Sequence, residues 1–233
     1  MDPDFSIEQV DVDGDVRETA HDAIAALDSR GDTRAGFLKK AGLAGGAVMG
    51  GGALLSALTP AGAAAAGKGR PPASFGKGDI GILNYALTLE YLETAFYEDV
   101  AKSGLFKGAE LATIKRFGAE EAQHVVALSG TVKKLGGKPA AKPKAEFPLD
   151  DAKSVLELAG TVENLGAAAY LGQAANIESP EVLAAALSIH SVEGRHAAAL
   201  NTLLGESITP DGAFAVPADV KTVLAAVEPF IVG

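Results

Sequence analysis

The sequence predicts an all-α protein built on a four-helix bundle: two helical hairpins joined by a long crossover, with a short C-terminal helix. Three observations predict it. From residue 78 onward, apolar residues recur at steps of three and four, the period that gathers them on one helix face. Four such segments are separated by two short breaks and one long, proline-bearing break, the connectivity of a bundle with one crossover. The two halves also repeat the same polar residues in the same order. Glu90, Tyr97, Glu121 and His124 stand in the first half, and Glu163, Tyr170, Glu193 and His196 in the second.

Composition narrows the function classes. A chain of 233 residues is long enough for one domain plus an extension. Aromatics are only 6% of a chain that is 48% hydrophobic, so Ala, Leu and Val dominate the apolar set and favour closely packed helices. The net charge of -10 argues against nucleic acid as a partner, because no basic surplus exists to neutralise phosphates. Cysteine is absent, which removes disulfides, zinc–thiolate and iron–sulfur chemistry and leaves His and carboxylates as ligands.

Residues 1–66 read as an acidic arm followed by an export-signal-like segment. Residues 1–35 hold ten Asp or Glu against three Arg, and Val16, Ala20, Ile24 and Leu27 place one short amphipathic helix among them. Arg34, Phe37, Leu38, Lys39 and Lys40 then precede an uncharged Gly/Ala-rich run and the small residues at 63–66, the three-part order of an export signal. The stretch resembles a twin-arginine signal, which carries folded cargo, except that Ala35 stands where the second Arg belongs. The expected localisation is therefore the periplasm or cell envelope, reached through transient contact with export machinery. The alternative is a cytoplasmic chain with a flexible leader. Residues 67–77, with Pro71 and Pro72, form a linker to the bundle domain at 78–233.

The helices follow in order. Asp79 is a candidate cap for the first, whose face carries Leu83, Ala86, Leu87, Glu90, Thr94 and Tyr97 and which ends at Gly104. The second spans about 107–134, with Ile114, Phe117, Glu121, His124, Val125 and Leu128 inward, and Gly136 and Gly137 stop it. Residues 137–149 contain Pro139, Pro143 and Pro148 and form the stiff crossover. The third spans about 150–176, with acidic residues at its positive end and Leu156, Ala159, Gly160, Glu163, Gly166, Ala167 and Tyr170 on one face. Ser179 caps the fourth, with Pro180 in its first turn. Ala186, Ile189, Glu193, His196, Ala197, Leu200 and Leu204 face inward, and Gly205 closes it. Residues 210–218 are loop, and 219–231 a short docking helix and tail.

Glu and His three positions apart project from one helix face about a turn apart. Each hairpin thus offers one lone Glu and one Glu-x-x-His, together the ligand set of a carboxylate-bridged two-metal site within a bundle. Glu90, Glu121, His124, Glu163, Glu193 and His196 are the candidate ligands. Their four carboxylates balance two divalent cations, whereas without cations they would repel in an apolar interior. A single Glu-x-x-His is common on solvated helix faces, so the weight rests on two copies at matching spacing. Glu93 competes with Glu90, but only Glu90 pairs with Glu163 in the repeat, where Gly166 stands opposite Glu93. Glu120 adjoins Glu121 without the spacing to His124. Tyr97, Tyr170, Glu93 and His190 are placed beside the ligands rather than among them. Gly166 and Ala167 either leave room for a diatomic or peroxide ligand or let the helices approach closely.

The segments LNYALTLEYLE at 83–93, EEAQH at 120–124, TVENLG at 161–166 with AYLG at 169–172, and VEGRHAAAL at 192–200 resemble the ferritin-like superfamily. They are most similar to bacterial ferritin-like domain proteins related to desiccation-related proteins. The likeness covers about 78–231. It implies a ferritin-like four-helix bundle in which the six residues above are the metal ligands. The leading expectation is an exported di-iron oxidase or ferroxidase with two iron ions, acting on Fe(II) with O2 or peroxide. One alternative is a catalase-like centre of two manganese ions. Another is a non-enzymatic stress or desiccation-related envelope protein. Whether the chain forms a homo-oligomer stays open, and nothing in it resembles a storage cage.

The export reading is tested by substitution. Arg34→Gln should lower the exported fraction, Ala35→Arg should raise it, and N-terminal sequencing of exported protein should start at residues 63–68. Full-length chain recovered from the cytosol alone would overturn it.

Overall fold

The structure, a computed structural model, describes residues 69–232. The arm and export-signal-like segment at 1–66 lie outside the described residues. Among the described residues are five α-helices and no strand: α1 (Gly78–Lys102), α2 (Gly108–Lys134), α3 (Ala152–Ala174), α4 (Pro180–Leu204) and α5 (Val220–Val227), with 3-10 turns at Ala73–Phe75 and Glu228–Phe230. None of these helices is long and apolar enough to cross a membrane. The first four form the bundle that the periodicity predicts.

Topology explains the long crossover. Short connections make α1/α2 and α3/α4 antiparallel hairpins, which hold the most extensive packing. Tyr97 of α1 meets Glu163 of α3, and Tyr170 of α3 meets Glu90 of α1. Late residues of one helix pair with early residues of the other, so α1 and α3 are antiparallel. Hence α2 and α3 run the same way, and the chain must return the length of the bundle between them. The 27 residues of α2 span roughly 40 Å at about 1.5 Å per residue. An extended chain over 135–151 reaches about 55 Å at ~3.3 Å per residue, enough for the return.

The crossover is fixed at both edges. Asn84 of α1 donates to the carbonyls of Phe75 (2.8 Å) and Lys138 (3.1 Å) and accepts from the Ala140 amide (2.8 Å). Further on, the Glu146 amide donates to Phe230 and the Val232 amide to Lys144, an isolated antiparallel bridge that ties the C-terminal tail to the crossover. The tail in turn holds α5 over the seam between α1 and α3, where Val220, Val223 and Val227 pack on Tyr85, Leu89, Leu92 and Ala169.

Helix ends follow local chemistry. Asp151 and Ser154 form a capping box at α3, which starts two residues later and stops two earlier than the spacing predicts. Ser179 caps α4, and Gly205 closes it in the left-handed region at φ 74°. Asp79 departs from expectation. Lys77 occupies the N-cap of α1 without a side-chain bond, and the Asp79 carboxylate instead accepts from the amides of Glu178 and Ser179 at 2.8 Å each. It anchors the α3–α4 turn to the start of α1.

Two apolar clusters fill opposite ends of the bundle. One gathers Leu83, Leu87, Leu128, Val132 and Val182 around Tyr170. The other gathers Phe96, Phe106, Ile114, Phe117 and Leu200 around Tyr97. The repeated Glu and His residues lie between them.

Gly172 marks where the C-terminal segment crosses α3: a Cβ there would sit 1.9 Å from the Ala218 carbonyl oxygen, beside the bond from the Ala218 amide to Ala168. Gly172→Ala should therefore cost about 1–3 kcal/mol of overpacking, read as a lowered Tm. Gly194→Ala, whose Cβ meets nothing within 4 Å, should gain up to about 1 kcal/mol of helix propensity. Equal Tm values for the two variants would contradict this packing.

Candidate metal centre

Each helix of the bundle delivers its repeated residues to one chamber. α1 carries Glu90, α3 carries Glu163, α2 carries Glu121 and His124, and α4 carries Glu193 and His196. All four carboxylates are 0% exposed. Ligand atoms of Glu90, Glu121, His124 and Glu193 lie within 4.8 Å of one another, and so do those of Glu121, Glu163, Glu193 and His196. Glu121 and Glu193 belong to both groups, so they stand where bridging carboxylates stand, and each position has its own lone Glu and its own His.

The imidazoles both face the chamber through Nδ1. His124 Nδ1 lies 2.8 Å from Glu121 and 3.2 Å from both Glu90 and Glu193. His196 Nδ1 lies 2.8 Å from Glu121 and 3.3 Å from Glu163. Its other nitrogen, Nε2, lies 2.7 Å from Glu120, and Phe117 stacks on the ring at 4.1 Å between centroids. A donated Nε2–H to Glu120 fixes the tautomer that turns the Nδ1 lone pair inward. Local spacing leaves Glu120 outside the ligand set; its contact with His196 depends on α4 lying opposite it, which that spacing does not reveal.

The tyrosines cross between hairpins. Tyr97 donates to Glu163 Oε1 at 2.5 Å, and Tyr170 donates to Glu90 Oε1. Seven residues along a helix is about 10 Å, too far for either hydroxyl to reach the Glu of its own helix. Each lone Glu therefore has one oxygen held by a tyrosine and one directed to the imidazoles. His190 lies outside both ligand groups, with Nδ1 3.0 Å from the Ala167 carbonyl. Gly166 serves neither expected purpose: the space of its missing side chain is taken by carboxylates, with Glu93 Oε1 2.8 Å and Glu193 Oε2 2.9 Å from where a Cβ would stand.

Electrostatics identify what the chamber suits. Burial opposes charge on both imidazoles, yet neighbouring carboxylates outweigh it, raising His124 to about 12 and His196 to about 11. Burial pushes Glu90 up to about 8 and holds Glu93, Glu163 and Glu193 above the carboxylate range. Glu121 goes the other way, to about 2: burial again opposes charge, but bonds to His124 and His196 win. Glu121 Oε1, Glu163 Oε2, both Glu193 oxygens and His196 Nδ1 are buried without a well-directed hydrogen bond, although His196 Nδ1 lies close to Glu121 and Glu163 and His124 Nδ1 lies close to Glu193. Oxygen and nitrogen atoms buried around one point without well-directed partners are costly, and divalent cations satisfy them once the imidazole protons leave. The residues present fit two such ions.

A four-helix bundle with carboxylates and imidazoles at its centre defines the class of ferritin-like, carboxylate-bridged dinuclear metal proteins. The sequence profile of the ferritin-like domain family matches residues 78–206, and the chain belongs to that family. A solved structure from Bacillus anthracis str. Ames, described as a ferritin-like, diiron-carboxylate protein, is similar at 27% identity, covering 53% of this chain and 92% of that one with a TM-score of 0.46. No protein of curated function matches the chain.

The pKa shifts give a signed prediction. The raised His124 and His196 stabilise the fold below pH 6.5 and lose that contribution as pH climbs through about 11–12. Glu90 acts with the same sign between 4.5 and about 8. Glu121, lowered, contributes above 4.5 and loses it as pH falls toward 2. Near neutral pH both imidazoles and Glu90 therefore hold protons that an arriving cation displaces. Metal loading in weakly buffered dye solution should release more than one proton per chain, with affinity rising as pH increases. Loading without proton release would contradict this protonation pattern.

Proposed function

We propose that the chain is a di-iron oxidase of the ferroxidase kind, acting on Fe(II) with O2 or peroxide. The observation that carries this reading is the convergence of four fully buried carboxylates and two imidazoles in two groups that share Glu121 and Glu193. Iron suits oxygen and imidazole donors in the absence of thiolate. Two bound ferrous ions supply two electrons to an oxidant.

The chain's own residues do the rest. Glu121 and Glu193 span the two positions and set their separation. Glu90 with His124, and Glu163 with His196, complete one position each. Tyr170 and Tyr97 hold the lone carboxylates in place by donating to the oxygen that faces away from the imidazoles. Glu120 and Phe117 orient His196. The apolar clusters on either side exclude bulk water, which strengthens every charge interaction within. The export-signal-like order of the leader supports placing the mature domain in the cell envelope, loaded before transport and so protected from competing metals outside.

The test is metal analysis followed by oxidant consumption. Protein loaded anaerobically should hold two Fe(II) per chain and consume O2 or peroxide when exposed to it. Glu121→Ala or Glu193→Ala should weaken binding at both positions by more than about 100-fold, beyond the cost of losing an outer partner of a ligand. Faster peroxide disproportionation by the Mn(II)-loaded form would assign a manganese catalase instead, and metal that binds but stays redox-silent would leave a structural role. Wild-type protein that remains metal-free in excess Fe(II) and Mn(II) would overturn the centre itself.

A further inference from the structure

Among the described residues five carboxylates are buried, and the six-residue ligand set uses only four of them. The fifth, Glu93, is 3% exposed and stands one turn from Glu90 on the chamber side of α1. Burial and the neighbouring carboxylates of Glu193, Glu90, Glu121 and Glu163 hold it well above the ordinary carboxylate range. An unpaired carboxylate in an apolar interior is unfavourable unless something cationic answers it.

Its surroundings show why it is tolerated. The second repeat has Gly166 where the first has Glu93, and the absent side chain is what admits Glu93 beside Glu193: a Cβ on Gly166 would meet Glu93 Oε1 at 2.8 Å and Glu193 Oε2 at 2.9 Å. On its other side Glu93 borders a cavity of about 20 Å³, room for one water. The wall is otherwise apolar: Leu89, Leu92, Val162, Leu165, Val223 and Val227. Nothing there can pair with a carboxylate. Glu93 Oε1 and Glu193 Oε2 approach the same point beside Gly166, so a cation held by Glu193 would stand within reach of Glu93, and the cavity gives the side chain space to turn.

We propose that Glu93 is a fifth carboxylate and seventh ligand of the dinuclear centre, resting against Gly166 beside Glu193 and turning onto an ion that Glu193 would hold. The inference rests on reading the six repeated residues as a metal centre. It makes the two halves of the centre unequal, since Gly166 can offer no counterpart from α3.

Co(II) titration against a competing chelator tests this, with visible absorption as a readout independent of turnover, because the ligand-field bands of Co(II) intensify as its coordination number falls. Glu93→Gln keeps shape and removes the anionic ligand. Gly166→Ala keeps Glu93 but crowds it with a methyl group that meets only the mobile ends of two side chains, so the helix is retained. Gly194→Ala, facing open space on α4, is the control. Wild type should bind two Co(II). Both test variants should weaken one of the two ions by at least about tenfold and intensify the bands, while the control changes neither. Unchanged affinity and spectrum in Glu93→Gln would show that Glu93 is no ligand and leave the six-residue centre standing. Weakened affinity with an unchanged spectrum would also overturn the proposal, reducing Glu93 to a positioning residue. A wild type that binds no Co(II) would overturn the centre and the proposal together.

Discussion

Four carboxylates with no solvent contact sit at mid-height in a bundle otherwise filled with Ala, Leu, Val and Phe, and the rest of the structure answers to that. Taking such charges out of water is expensive, and excellent geometry with additional partners is needed to offset it. The imidazoles of His124 and His196, drawn among the carboxylates, supply part of the answer. The hydroxyls of Tyr97 and Tyr170 supply another part. Packing is far richer within each hairpin than between hairpins. The polar centre and its two tyrosine braces therefore serve as a principal link between the halves, with an apolar cluster on either side to keep the link dry. Cations that satisfy the remaining lone pairs also strengthen this link, which is how metal affinity becomes folding stability.

The two hairpins are related as repeats, and the departures from the repeat are as informative as the agreements. Glu93 faces Gly166, so one half carries a carboxylate where the other carries empty space. Glu120, which orients His196, has Val192 as its counterpart, so His124 lacks an equivalent brace from α4. Gly118 of α2 lets Tyr97 approach to 2.9 Å of where a Cβ would be, while His190 takes the same place in α4 and turns to the Ala167 carbonyl. Each difference falls within about a turn of a ligand. Two metal positions built from the same residue types thereby acquire different surroundings.

What was legible in the sequence, and what was not, follows from the range of the interactions. The convergence of six residues could be anticipated because a helix of fixed period decides which side chains share a face, and the lengths of the breaks decide which helices are neighbours. Ser179, Pro180 and Gly205 act where their local chemistry places them. Asp79 does not: its carboxylate serves the amides of a turn a hundred residues away, a choice that only the folded neighbourhood offers. The same holds for Glu120, whose partner is on another helix, and for the tyrosines, whose spacing within a helix is regular but whose acceptors lie across the bundle. Gly166 was readable as a small residue on an inward face. That carboxylates rather than a helix backbone or a diatomic fill its space depends on a side chain from α1.

The direction of α3 ties these observations together. Had the second hairpin followed through a short turn, α2 and α3 would be antiparallel and α1 and α3 parallel, and Tyr97 could not meet Glu163 while Tyr170 meets Glu90. The return of the chain along the bundle makes the crossed pairing available, and the prolines at 139, 143 and 148 keep that return extended. The crossover then becomes a surface on which the tail is tied at Lys144 and Glu146, which sets α5 over the α1–α3 seam. Under that seam lie Glu93, Gly166 and the small cavity. A long connection that first solves a problem of chain direction thus also fixes the cover over the side of the chamber where the two repeats differ most.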